Sequence, residues 1–161
     1  VLISLMFCEK LLSLPPVESQ MIEFKIGISY FTSGKVNTKV IEKIGKTLAA
    51  MANTKCSFME EGYVVLGVAD NSDSCNQWKA VYKEMQLVYG AHQIVGIEQE
   101  AERYFNGIDN YSWRVCDLIN QSPITDELRD YVLANMHVVD FKGKVLLLLP
   151  AKKKSRCAML L

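Results

Sequence analysis

Glu18, Glu23, Lys25 and Asp70 are the residues of this 161-residue chain whose types and placing could do chemistry. Three carboxylates with an ammonium beside them suit a divalent cation, Mg²⁺ or Mn²⁺, that activates water against a phosphodiester. Carboxylates alone repel a phosphate, so the metal is needed to invert the local charge, while Lys25 adds positive charge near the scissile group. The interval from Glu18 to Glu23 places the two side chains on opposite faces of a straight strand and off register on a helix. They converge only if the chain bends between them, and Pro15-Pro16 just upstream favours an irregular approach. The same residues also have plain structural uses: Glu18 as a cap, Glu23 paired with Lys25 or another lysine, Asp70 at the start of a turn. Spacing alone favours that plainer use.

Order along the chain adds to this reading. Glu-Ser-x-x-x-Glu-Phe-Lys at 18–25, Ala-Asn-Thr at 52–54, Val-Leu-Gly-Val-Ala-Asp at 65–70 and Ile-Val-Gly-Ile at 94–97 follow one another as they do in Schlafen-type, AlbA-like domains. The chain resembles that family from Glu18 to about Pro150. The resemblance implies a nucleic-acid-handling α+β domain and, as in the Schlafen nucleases, a glutamate, glutamate, aspartate triad that cuts structured, tRNA-like RNA with a divalent metal. Carried over by motif, the triad and metal ligands would be Glu18, Glu23 and Asp70, to which the charge argument above adds Lys25 as the fourth member of the catalytic set. A non-catalytic DNA- or RNA-binding or regulatory module is the alternative. This sequence departs from the pattern at residues 71–92, which stand between the aspartate and Ile-Val-Gly-Ile where the family often has only a few residues.

Composition bounds the rest. Half the residues are hydrophobic and 18 basic residues balance 18 acidic ones, which argues for an ordered globular domain and gives no global attraction to nucleic acid. The organisation expected is an N-terminal helical extension over 1–16, an AlbA-like domain over 17–151 and a basic tail over 152–161. Five cysteines, at 8, 56, 75, 116 and 157, are an odd count without Cys-x-x-Cys spacing, so reduced cytoplasmic thiols are expected rather than disulfides or zinc. The apolar start is interrupted by Glu9 and Lys10, well short of the roughly 20 residues that span a bilayer, and no basic leader precedes it. A first residue Val1 reads as that of a fragment or processed piece, and Cys157 misses the prenylation position by one. The histidines, His92 and His137, sit in no hydrolase motif, and no Gly-rich phosphate loop is present.

The elements that must position the carboxylates are an α+β set with a mostly antiparallel sheet and flanking amphipathic helices. Ile22, Phe24 and Ile26 alternate with Glu23 and Lys25, predicting a half-buried strand with both charges facing outward. Asn37 or Thr38 can cap a helix running to about Asn53. Its apolar stripe, Val36, Val40, Ile44, Leu48, Met51 and Ala52, opposes Lys35, Lys39, Lys43 and Lys46. That lysine row is either a solvated face or a phosphate-tracking ridge. Tyr63 to Val68 predicts a buried strand ending near Asp70, and Asp70 to Ser74 a loop. Helical spacing over Cys75 to Tyr89 predicts a helix closed by Gly90. A strand is expected over Gln93–Ile97, helices over Glu98–Asn106 and Tyr111–Gln121, and strands over Val132–Asp140 and Lys144–Leu149 joined at Lys142-Gly143. A further helix is expected over Leu2–Leu14. The tail lysines Lys152, Lys153 and Lys154 with Arg156 would supplement the ridge. Partners expected are tRNA-like RNA or DNA and no membrane, with a homodimer left open.

Overall fold

The computed structural model describes residues 2–13, 20–55 and 59–154. Glu18, Pro15-Pro16 and Arg156 lie outside the described residues. In chain order the elements are α1 (Leu2–Leu12), β1 (Ile22–Lys25), α2 (Thr38–Asn53), β2 (Glu61–Leu66), α3 (Ser72–Tyr82) and β3 (Leu87–Tyr89). These are followed by β4 (His92–Ile94), α4 (Glu98–Tyr104), α5 (Ile108–Asn120), α6 (Asp126–Asn135), β5 (His137–Phe141) and β6 (Lys144–Lys152).

The fold is α+β, with a four-stranded sheet of order β1-β2-β6-β5 and a separate β3-β4 hairpin. Within the main sheet β1 and β2 run parallel, and the other pairings are antiparallel. Alternation along each strand sends side chains to two cores. Val64, Leu66, Leu147, Leu149 and Ala151 meet Ile44 and Leu48 of α2, Val115 of α5 and Val132 of α6. On the other face Tyr63, Val65, Leu146 and Leu148 meet Cys8, Leu11 and Leu12 of α1. A third cluster, Cys75, Trp78, Tyr82 and Val95, seats α3 at the end of the sheet where β1 and β2 finish.

Local signals explain where the elements stand. Asn37 caps α2 by accepting from Lys39 N–H at 3.2 Å. The Ala-Asn-Thr end of that helix folds back on itself, with Asn53 and Thr54 donating to the carbonyls of Ala49 and Ala50. Lys142 and Gly143, at φ 53° and 91°, make the tight turn between β5 and β6, as the hairpin expectation requires.

Three expectations are corrected. Val132–Asp140 is not one strand: Thr125 caps α6, Asp126 and Glu127 fill its first turn, and only His137–Phe141 is extended. Leu128 and Val132 lie four apart, an interval that a strand's alternation and a helix's turn both put on one face, so the apolar pattern did not discriminate. The helix over Cys75–Tyr89 starts earlier and ends earlier, because Asn71 caps it by accepting from Ser74 N–H and Lys83 closes it in the left-handed region. Beyond Lys83 the period becomes two, with Leu87 and Tyr89 packed and Val88 exposed, and Gly90 at φ 59° turns a hairpin rather than ending a helix. The strand over Tyr63–Val68 is shifted to Glu61–Leu66, since Gly67 at φ 110° turns the chain.

Candidate functional site

The site lies at the carboxyl ends of the parallel pair β1 and β2, the end at which open sheets usually take their ligands. Lys25 is the last residue of β1, and its carbonyl accepts from Gly67 N–H at 2.8 Å and Val68 N–H at 3.4 Å. The chain leaving β2 therefore curls over Lys25. Gly67 is required at this crossing, because a Cβ there would stand 2.8 Å from Leu146 and 3.2 Å from the Cα of Gly96. The Gly67 carbonyl in turn accepts from Val95 N–H and Gly96 N–H, and Ala69 N–H donates to the Gln93 carbonyl. The two Gly-centred motifs thus lock against each other and fix the approach to Asp70.

At the end of that path Asp70 accepts from Lys25 Nζ at 3.0 Å, while Glu23 Oε1 lies 3.4 Å from the same ammonium. Lys25 is only 7% exposed, so it does not face outward with Glu23 as the alternation suggests. The physical reason is that the β2–α3 connection covers the end of an edge strand whose middle stays open. Burial opposes the ammonium, but Asp70 and Glu23 outweigh it and the Lys25 pKa is raised overall. Both carboxylates keep about a third of their side-chain surface. Glu23 therefore does pair with Lys25, and Lys43 of α2 stands 4.0 Å from it.

Two hard-oxygen groups converging on one cation-sized position are a donor set that fits Mg²⁺ or Mn²⁺. The Lys25 ammonium stands at that position, and among the described residues no three His, Cys, Asp or Glu side chains cluster. Lys39, Lys43 and Lys46 are exposed along α2 and Lys35 on the connection before it, and of these Lys43 reaches the site through Glu23. Lys152 and Lys154 do not join the site: β6 runs against β2, so they emerge at the opposite end, where Lys154 N–H donates to the Ala52 carbonyl at the close of α2.

Beside Lys25 and Asp70 opens a cleft of about 600 Å³ between the β1–α2 connection and α3. Sequence reasoning missed both the cleft and the residue that braces one of its walls from behind. Glu100 is buried, and its Oε2 accepts from Ile28 N–H at 3.1 Å, from Ser29 N–H at 2.8 Å and from the Ser29 hydroxyl. Burial pushes the Glu100 carboxyl up, against the hydrogen bonds that pull it down. Gly27 leaves room for it, since a Cβ there would stand 2.4 Å from Glu100 Oε1. The only sequence sign was an acid one turn before an aromatic, Glu100 and Tyr104, on one helix face.

A family model described as Schlafen, AlbA_2 matches residues 18–159. Neither the comparison with curated proteins nor that with solved structures yields a match.

Proposed function

From the premise that the chain belongs to the Schlafen, AlbA_2 family, a nucleic-acid-handling family, we propose that it hydrolyses phosphodiester bonds of structured, tRNA-like RNA in the cytoplasm. The observation that carries this reading is the convergence of Glu23 and Asp70 on Lys25, within 3.4 and 3.0 Å, at the strand ends. Free thiols at Cys8, Cys75 and Cys116 suit a reducing compartment. Glu23 and Asp70, with Glu18, would hold a Mg²⁺ or Mn²⁺. When bound, such an ion supplies a water of lowered pKa and positive charge for the transition state.

The chain's own residues do the rest. Lys25 would offer its ammonium to a non-bridging phosphate oxygen in exchange for one of its present carboxylate partners. Lys39, Lys43 and Lys46 share one face of α2, a helix about 24 Å long at 1.5 Å per residue, and hold the backbone on either side of the scissile bond. A binding module that does not cut is the second reading. It is favoured by the same ammonium, which already neutralises much of the carboxylate charge that would draw a metal.

Incubating the protein with tRNA and with single-stranded DNA, with Mg²⁺ or Mn²⁺ and with chelator, separates the two. Cleavage should need the metal and disappear in Glu23→Gln and Asp70→Asn while binding persists. Cleavage that survives chelator or both substitutions overturns the proposal, and binding without cleavage in either metal leaves the binding module.

A further inference from the structure

The cleft beside Lys25 and Asp70 has walls of two kinds. Tyr30 and Phe31 on the β1–α2 connection, with Val40 of α2 and Val81 of α3, supply aromatic and aliphatic surface. Ser74 and Gln77 of α3 supply hydrogen-bonding side chains that make no hydrogen bond through their side chains to other described residues. Asn37 spends its oxygen on the α2 cap and keeps its amide N–H groups.

One wall is held rigidly. Glu100 pins Ile28 and Ser29 from behind. Tyr30 N–H donates to the Lys35 carbonyl and Gly34 N–H to the Tyr30 carbonyl, both at 2.9 Å, closing the turn that presents the aromatics. The Tyr104 hydroxyl donates to the Phe31 carbonyl, and its ring lies where a Gly34 Cβ would be, 2.2 Å away. Burying a carboxylate to order a surface turn is costly, and what it orders is a fixed wall along one side of the cleft.

We propose that this cleft takes one unpaired nucleobase of the RNA chain, stacked against Tyr30 and Phe31 and read at its edge by Gln77 and Ser74. The inference rests on the proposed function and adds to it a subsite that selects where the chain is cut. The occupant follows from the mixture of groups. A flat apolar face suits the aromatic wall, edge donors and acceptors suit the unpartnered amide and hydroxyl, and the exposed Lys35 and Lys39, which flank the lining residue Asn37 in sequence, suit the phosphate carried by the ribose. A lipid tail would leave the polar groups unpaired, and a neutral peptide would bring no charge to the lysines. A volume of about 600 Å³ lies within the range of small-ligand sites. Because a paired base cannot turn its face to a protein wall, the site calls for a loop, bulge or single-stranded end.

The test titrates AMP, GMP, CMP and UMP, and ribose 5-phosphate as a base-free control, into the isotope-labelled chain and follows backbone amide signals. Nucleotides should shift Tyr30, Ser74 and Gln77, whereas ribose 5-phosphate should leave them in place. Ala80→Trp fills the cleft from an exposed helix position and should weaken nucleotide binding roughly tenfold or more with an unchanged melting temperature. Gln77→Ala should weaken it less and change which base is preferred. Equal shifts from ribose 5-phosphate, shifts confined to other residues, or full nucleotide affinity in Ala80→Trp would overturn the inference. If an RNA oligonucleotide binds through the lysine row while no mononucleotide perturbs the cleft, the subsite fails, and the proposed function is decided separately by metal-dependent cleavage of tRNA; if neither binds, both fail.

Discussion

Lys25 and Glu100 are two buried ionisable groups with opposite electrostatic balances. For Lys25 the two carboxylate partners win, so its folded pKa lies above the ordinary lysine value of 10.5. A raised value means that the folded state holds the proton more tightly, and the stability this gives is fully present below 10.5 and lost as pH rises through the folded value. Lys25→Met should cost about 1–3 kcal/mol near neutrality, as for a lost hydrogen bond between charged groups, and the gap to the unaltered protein should close above pH 10.5. Urea unfolding at neutral pH and in strong base measures both. For Glu100 desolvation wins, and its carboxyl is raised from 4.5. Its protonated form is the one the fold favours, so its contribution is present below pH 4.5 and declines as pH rises through the carboxyl's folded value. Relative to Glu100→Gln, the unaltered protein should therefore lose stability as pH is raised from 4 to 7, read by thermal melts across that interval. Gly27→Ala should cost about 1–3 kcal/mol by crowding the same carboxylate.

At the scale of elements, α2 carries two separable jobs. Its cap and apolar stripe hold it on the sheet, and Asn37→Ala should lower stability by about 1 kcal/mol without removing any lysine. The exposed row does the opposite. Lys35, Lys39 and Lys46 make no ion pair among the described residues, and Lys43 reaches Glu23 only at 4.0 Å. Replacing all four with alanine should leave the melting temperature nearly unchanged. Each phosphate contact so lost should flatten the logarithmic salt dependence of duplex DNA binding by about 0.9. An unchanged slope would make the row a solvated face.

Over the whole molecule the sheet separates two packed faces. α2 and the lysine row lie on one face, while α1 covers the other through Cys8, Leu11 and Leu12, with Glu9 paired to Lys142 at 3.3 Å. Leu11→Ala should cost about 2–5 kcal/mol as a cavity in that second core. Nucleic-acid affinity and its salt slope, measured below the melting temperature, should not move. No helix among the described residues is long and apolar enough to cross a membrane.

Much of this architecture is written locally. The periods of two and near four, the Asn37 cap, the Lys142-Gly143 turn and the apolar run of β6 place α2, the hairpin and the central strands from sequence, because each depends on neighbours within a turn or two. The ordered motifs carried the family, since glycines at 67 and 96 are needed wherever those two segments cross. What only the tertiary structure decided is which side chains meet. Lys25 is buried because the chain from β2 doubles back over the end of β1, and Asp70 reaches it across 45 residues of separation. Glu100 builds the cleft through bonds to Ile28 and Ser29, more than 70 residues away. Alternation and capping act over a few residues, whereas these contacts follow from the pairing of β1 with β2 and the docking of α4, which no local pattern encodes.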